Sequence, residues 1–161
     1  MEVSFLTDKS GRKLLAELHP HLLNIWDGFV ENIKRSDMLR YSLLYEFGGV
    51  NADIDIESLR PLDRAAMKYA CVVPVEPFEH SVLFFGMPYE INNAIIMMCK
   101  AKHPFFKQVL NNLKQPPNIT CINSADSVMK TTGPAVLTGE FNKYIGIKTM
   151  NTGTAKQYRL E

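Results

Sequence analysis

Residues 36 to 57 leave the chain the fewest options: a helix, a two-glycine turn and a strand succeed one another without a linker. Leu39, Leu43, Leu44 and Phe47 recur at helical spacing and supply an apolar stripe. Ser36 is a good N-cap residue, and Asp37 suits the positive end of the helix dipole in the first turn. Gly48 is well placed to end the helix, and Gly49 lets the backbone turn tightly into the next segment. There Val50, Ala52, Ile54 and Ile56 alternate with Asn51, Asp53, Asp55 and Glu57, the period of a strand with one apolar face.

On such a strand Asp53 and Asp55 share the polar side, about 6.5 Å apart. Two unpaired carboxylates at that distance repel each other, and a divalent cation or bound hydroxyls would relieve the repulsion. An exposed acidic strand edge is the plainer reading of an isolated Asp-X-Asp. Upstream, Asp37 and Arg40 lie one helical turn apart on one face. They form either an i,i+3 ion pair worth a few tenths of a kcal/mol, or a carboxylate and a planar five-donor guanidinium aimed at a polyhydroxylated or phosphorylated ligand. The glycine turn lets both pairs converge on one cleft.

The rest of the chain alternates strand-like and helical segments, an α/β layout. Val3 to Leu6, Tyr69 to Val75, Val82 to Phe85 and Ala94 to Met98 read as strands. Leu14, Leu15, Leu18, Leu22 and Leu23 recur at helical spacing, with Pro20 dividing them into two pieces. Pro104 opens a helix running to Leu113, Gln115 to Asn118 is a loop, and Gly133-Pro134 opens a last helix towards Tyr144.

At 161 residues the chain is expected to be one domain, residues 1–161, able to bury about two-thirds of its unfolded surface. A net charge of +1 without a basic run gives no electrostatic footprint for nucleic acid. No apolar stretch approaches the roughly 20 residues of a membrane helix. Cys71, Cys99 and Cys121 are odd in number and widely spaced, so reduced, mostly buried thiols are expected.

The block from Ile33 to Asp63, with Asp37-X-X-Arg40, Gly48-Gly49 and Asp53-X-Asp55 in that order, strongly resembles the sugar-binding region of glycosyltransferase family 32. The same spacing occurs in the large clostridial glucosylating toxins. The likeness continues through Asn92-Asn93-Ala94, Lys102-His103-Pro104-Phe105-Phe106 and Thr132-Gly133-Pro134. It implies a GT-A fold, a Rossmann-like mixed sheet flanked by helices. It also implies an enzyme that moves a hexose or N-acetylhexosamine, with retention of configuration, from a UDP- or GDP-sugar to a glycan or lipid-linked acceptor. By position, Asp55 would ligate a divalent metal, usually manganese. Asp53 would contact ribose or sugar hydroxyls and reach the metal directly or through water. Asp37 and Arg40 would hold hydroxyls of the transferred sugar, with Asn93 lining the same pocket; no catalytic nucleophile stands out.

Against the family pattern, Asn51 stands where an aromatic residue is usual. The first strand and the closing C-terminal segment, whose histidine or acidic residue completes the metal site, are expected to be missing. Only Glu161 offers such a ligand after Tyr144. The resemblance places eukaryotic members in the Golgi lumen behind a preceding anchor and bacterial ones in the cytoplasm. A second reading is a catalytically inactive relative or fragment that binds a sugar, nucleotide or protein without turnover. Among other residues, His103 reads as a structural histidine and Glu76 and Glu79 as loop carboxylates that are alternative acid or base candidates. His80 is near the site, Asn118-Ile119-Thr120 fits a glycosylation acceptor, and Met97, Met98 and the phenylalanines at 84, 85, 105 and 106 read as core.

Overall fold

The computed structural model describes residues 6–114 and 124–146. The chain forms α1 (Asp8–Leu18), a 3-10 turn (Pro20–Leu22), α2 (Leu23–Gly28), α3 (Asn32–Glu46), β1 (Gly49–Ala52), α4 (Asp63–Lys68), β2 (Cys71–Val72), α5 (Phe78–Phe85), β3 (Ile96–Cys99), α6 (Pro104–Asn112), α7 (Ser124–Thr131) and α8 (Pro134–Tyr144). The architecture is mixed α/β, with a sheet of order β1-β3-β2 whose pairings are both antiparallel. Val3, the loop from Gln115 to Asn118, the acceptor triplet at Asn118, Cys121 and Glu161 lie outside the described residues, as do the side chains of Phe84 and Phe85.

Local chemistry sets most boundaries. Thr7 and Ser10 cap α1 reciprocally: Ser10 N donates to Thr7 Oγ1 at 3.2 Å and Thr7 N to Ser10 Oγ at 2.8 Å. Pro20 ends that helix and opens the 3-10 turn, and Pro104 and Pro134 occupy first-turn positions of α6 and α8. His103 caps α6, its Nδ1 accepting from Phe105 N at 3.3 Å, which is the structural role its position suggests.

Three expectations are corrected. The helix carrying Asp37 begins at Asn32, not after Ser36, so Ser36 and Asp37 lie inside it. Its buried face is Lys34, Asp37, Met38, Arg40, Tyr41, Ser42 and Leu44, whereas Phe47 is exposed. Apolar spacing missed this because four of those seven buried residues, Lys34, Asp37, Arg40 and Ser42, are polar. Residues 82–85 form the end of α5, not a strand. Gly86, at φ +62°, closes the helix, with Gly86 N donating to Val82 O and Met87 N to Ser81 O, both at 3.1 Å. Third, Cys71 and Cys99 form a disulfide rather than remaining thiols. They face each other across β2 and β3 with Cα atoms 4.1 Å apart, while Lys100 N bonds Ala70 O beside them. That is the close, non-hydrogen-bonded position of an antiparallel ladder, where opposed side chains meet.

The core joins Leu15, Trp26, Phe29, Met38, Tyr41, Leu44, Ile91, Met97, Phe105, Phe106, Val109 and Leu137. Helix α3 lies at its centre, in contact with α1, α6, α7, β1 and β3. Tyr41 stacks on Phe106 at 6.0 Å between ring centroids, and Met97 on β3 is fully buried. The sheet and the turns beside it therefore bring Asp53 and Asn93 to the flank of a helix that already carries Asp37 and Arg40.

Candidate functional site

The turn from α3 into β1 aims the site. Gly48, at φ +67°, accepts a left-handed conformation that a side chain would oppose. A Cβ there would stand 2.5 Å from Ala101 N and 2.7 Å from Cys99 O. Strand β1 then runs beside β3, with Asn51 opposite Met97 and Ala52 opposite Ile96. It stops at Ala52, five residues short of the Glu57 its alternation suggests. Asp53 N still bonds Ala94 O at 3.1 Å, but Asp53 O accepts from Ile56 N at 3.1 Å and closes a turn. Asp53 and Asp55 accordingly sit on a turn leaving the strand, and Ile54 is 94% exposed rather than packed on an apolar face.

Four of the residues singled out by sequence come together. Asp37 is buried, and its two oxygens accept from different segments: Oδ1 from Asn93 Nδ2 and Oδ2 from Thr132 Oγ1, each at 2.9 Å. Arg40 lies between two carboxylates, its Nε 3.5 Å from Asp37 Oδ1 and its Nη1 3.2 Å from Asp53 Oδ1. Arg40 Nη1 also donates to Asn93 O. Asp55 is not part of this cluster and stands exposed at the turn.

Two members carry no clear signal in the sequence. Tyr41, fully buried, accepts from Asn93 Nδ2 at 3.0 Å and donates to Thr132 O at 2.7 Å. Thr132 figures in the sequence only as part of a Thr-Gly-Pro stretch. Tyr41 lies four residues after Asp37, so helical spacing alone places it on the same face. Nothing local connects Thr132 to them, 95 residues beyond Asp37.

Burial pushes the Asp37 carboxyl up from its ordinary range, and the Asp53 charge adds to this. Arg40 and the hydrogen bonds from Thr132 and Asn93 oppose it. Burial, then the Asp37 charge, drives the Tyr41 phenol up as well, so it remains a neutral donor to Thr132. An ionised carboxylate offers about four acceptor sites, and two of Asp37's are used by neutral protein donors. Asp37 retains capacity for further hydroxyls beside the Arg40 cation. The cluster opens to solvent at Asp53, whose side chain is 37% exposed.

The donor set suits a hard divalent cation. Asp53 and Asp55 offer oxygen ligands at an open turn, the pattern of an ion held by one or two carboxylates and completed by water and phosphate. Among the described residues, the one group of three or more His, Cys, Asp or Glu side chains close enough to share an ion is Cys71, Cys99 and His103. Two of those three are joined in the disulfide. The other residues considered are accounted for structurally or lie apart. Glu79 is exposed, and Glu76 is held by Asn92 Nδ2 rather than solvated in a loop.

Residues 1–72 match the family model of the glycosyltransferase sugar-binding region containing the DXD motif. The chain is 28% identical over 140 residues to an inositol phosphoceramide mannosyltransferase of Schizosaccharomyces pombe, covering 86% of this chain and 40% of the relative. A second such mannosyltransferase from the same yeast is 34% identical over 107 residues, 66% of this chain and 27% of the relative. A mannosyl phosphorylinositol ceramide synthase of Saccharomyces cerevisiae is 27% identical over 150 residues, 93% of this chain and 36% of the relative. The chain thus spans well under half the length of these relatives. No solved structure matches it. The Asp-X-X-Arg helix, the glycine turn and the Asp-X-Asp turn all fall within the matched region, so this part of the chain is similar to the DXD-containing sugar-binding region of glycosyltransferases, and the relatives it matches are named for mannosyl transfer.

Proposed function

We propose that the protein serves a metal-dependent, retaining transfer of a hexose, mannose by its relatives' names, from a UDP- or GDP-sugar to a lipid-linked acceptor of the inositol phosphoceramide kind. The observation that carries this reading is the convergence of Asp37, Arg40, Asp53 and Asn93 from three separate segments. Asp37 accepts sugar hydroxyls on its unused lone pairs. Arg40, held between Asp37 and Asp53, cancels part of their charge and opposes the rise that burial gives the Asp37 carboxyl. Asn93 fixes Asp37 through its amide and Arg40 through its carbonyl, so the pair meets the sugar in one geometry. Asp53 and Asp55 would hold a divalent metal, manganese in this reading, which neutralises charge on a departing diphosphate. The GT-A architecture belongs to the same proposal, as does the Golgi lumen. The Cys71–Cys99 disulfide supports the lumen, since such bonds persist in oxidising compartments.

One observation favours the alternative, a relative that binds without turnover: both oxygens of Asp37 already have protein donors. Calorimetry with UDP- and GDP-mannose, with and without manganese, tests the two. The expected result is binding that requires manganese, falls at least about tenfold in Asp55→Ala, and is accompanied by slow donor hydrolysis; tenfold is the loss of about 1.4 kcal/mol. Manganese-dependent binding without hydrolysis would favour the alternative. Binding that ignores both the metal and the substitution would overturn the metal site.

A further inference from the structure

Glu90 is the buried acid the donor-site reading leaves without a task. It is 1% exposed, and neither carboxylate oxygen has a hydrogen-bond partner among the described residues. A buried carboxylate in that condition is costly unless it is protonated. Its position has a backbone cause. Val75 bridges Ile91 in antiparallel sense, Glu76 N donates to Glu90 O at 2.8 Å, and Asn92 N donates to Pro74 O at 3.0 Å. Glu76 and Glu90 are therefore directly opposed, where Cβ atoms stand about 5 Å apart, and Asn92 is Glu76's diagonal neighbour on the same face.

Glu76 uses that diagonal. Its Oε1 accepts from Asn92 Nδ2, while Asn92 Oδ1 accepts from Ala94 N at 2.7 Å and Ile95 N at 2.9 Å. The Asn92 side chain thus clamps the turn containing Asn93, whose amide meets Asp37 and whose carbonyl meets Arg40. We propose that Glu76 and Glu90 form an opposed, charge-coupled carboxyl pair that positions Asn92, and through it Asn93, for the donor sugar. This rests on the donor-site reading of Asn93. With the proton on Glu90, no second charge opposes the Glu76 carboxyl that anchors Asn92. When that proton leaves for solvent, two opposed carboxylates repel, one of them buried and unpartnered, and the anchor loosens.

The other titratable groups nearby are Glu79 and His80 on α5 and Glu140 on α8, and of these His80 contacts the pair, through Glu76. Among the described residues, Glu76 is the one charge that raises Glu90, which burial and that charge together push up to about 7. On α5, Glu79 is exposed and His80 Nδ1 lies 3.5 Å from Glu76 Oε2, on the side away from Asn92's bond to Oε1. On α8, Glu140 is committed to Lys143, Gln108 and Asn112.

The test tracks the side-chain amide signals of Asn92 and Asn93 by NMR between pH 5.5 and 8.5 in the unliganded chain, with UDP- and GDP-mannose affinity in manganese measured alongside. The expected result is that the Asn93 amide shifts with a midpoint near 7 in the native chain. The shift is absent in Glu90→Gln, which keeps the shape without the charge, and its midpoint moves down in Glu76→Gln, which keeps an acceptor for Asn92. Donor affinity weakens above the midpoint, by up to about tenfold per pH unit, in the native chain and not in Glu90→Gln. An Asn93 signal that ignores pH, or that titrates identically in Glu90→Gln, overturns the proposal. A titrating Asn93 with no donor binding at any pH upholds the relay and overturns the donor-site reading instead.

Discussion

The cluster around Asp37 sets a cost on each of its donors. Asp37 is 3% exposed and depends on Asn93 and Thr132 for its hydrogen bonds. Removing one donor leaves a buried acceptor unmet, which costs about 1–3 kcal/mol, more than the net worth of the bond itself. Thr132→Val keeps the branched shape and deletes only the hydroxyl. It is expected to lower the thermal midpoint by about 2–12 °C, at roughly 2–4 °C per kcal/mol for a chain of this size. Scanning calorimetry measures this, and an unchanged midpoint would show that water reaches Asp37. Asp37, Arg40 and Asp53 were legible in the sequence because their residue types and spacing carry chemistry, and Asn93 only through the family resemblance. Tyr41 and Thr132 were not, because what defines them is a contact between α3 and the turn joining α7 to α8, 91 and 95 residues apart.

Among the elements, the helix–turn–strand unit was readable and its limits were not. Gly48 closes α3 as its position suggests, but no periodicity reveals that β1 ends at Ala52, because the turn beyond it is fixed by Ala94 and Ile56. The run Val82-Leu83-Phe84-Phe85 has strand-like composition. It is helical because Pro77 and Gly86 bracket it, a case of end signals outweighing apolar content. The glycine turn yields a contrast within two residues. Gly48→Ala adds a Cβ against backbone atoms at 2.5 and 2.7 Å and strains a φ of +67°, so the chain must shift. Gly49→Ala meets nothing within 4 Å and carries only the conformational cost of φ +91°. Gly49→Ala should cost about 1–2 kcal/mol, and Gly48→Ala more than that, with loss of the Asp53–Arg40 pairing. Urea denaturation of both variants checks this, and equal losses would show that β1 moves freely away from Ala101.

For the whole molecule, the strands read over 69–75 and 94–98 contain β2 and most of β3, whereas the link that ties them was not visible in the sequence. Three cysteines with no regular spacing suggest thiols. What joins Cys71 to Cys99 is register: both flank the last rungs of the β2–β3 ladder, and Gly49, opposite Cys99 on β1, adds no side chain there. The bond closes a loop with a sequence separation of 28 that contains α5, Glu76, Glu90 and Asn93. Loop closure of that length stabilises by about 3–4 kcal/mol through the unfolded chain. The sheet is small, and this tether ties β3, which follows the Asn93 segment, to β2. Under denaturing, non-reducing conditions the chain, with three cysteines, should titrate one thiol, and three after reduction. Reduction, or the paired substitution Cys71→Ser with Cys99→Ser, should lower stability in urea by about 3–4 kcal/mol and weaken donor binding, because Asn93 is then held by fewer constraints. Three free thiols without reductant, with no change in the urea midpoint on reduction, would show that the two sulfurs meet without bonding and that the sheet alone holds the site.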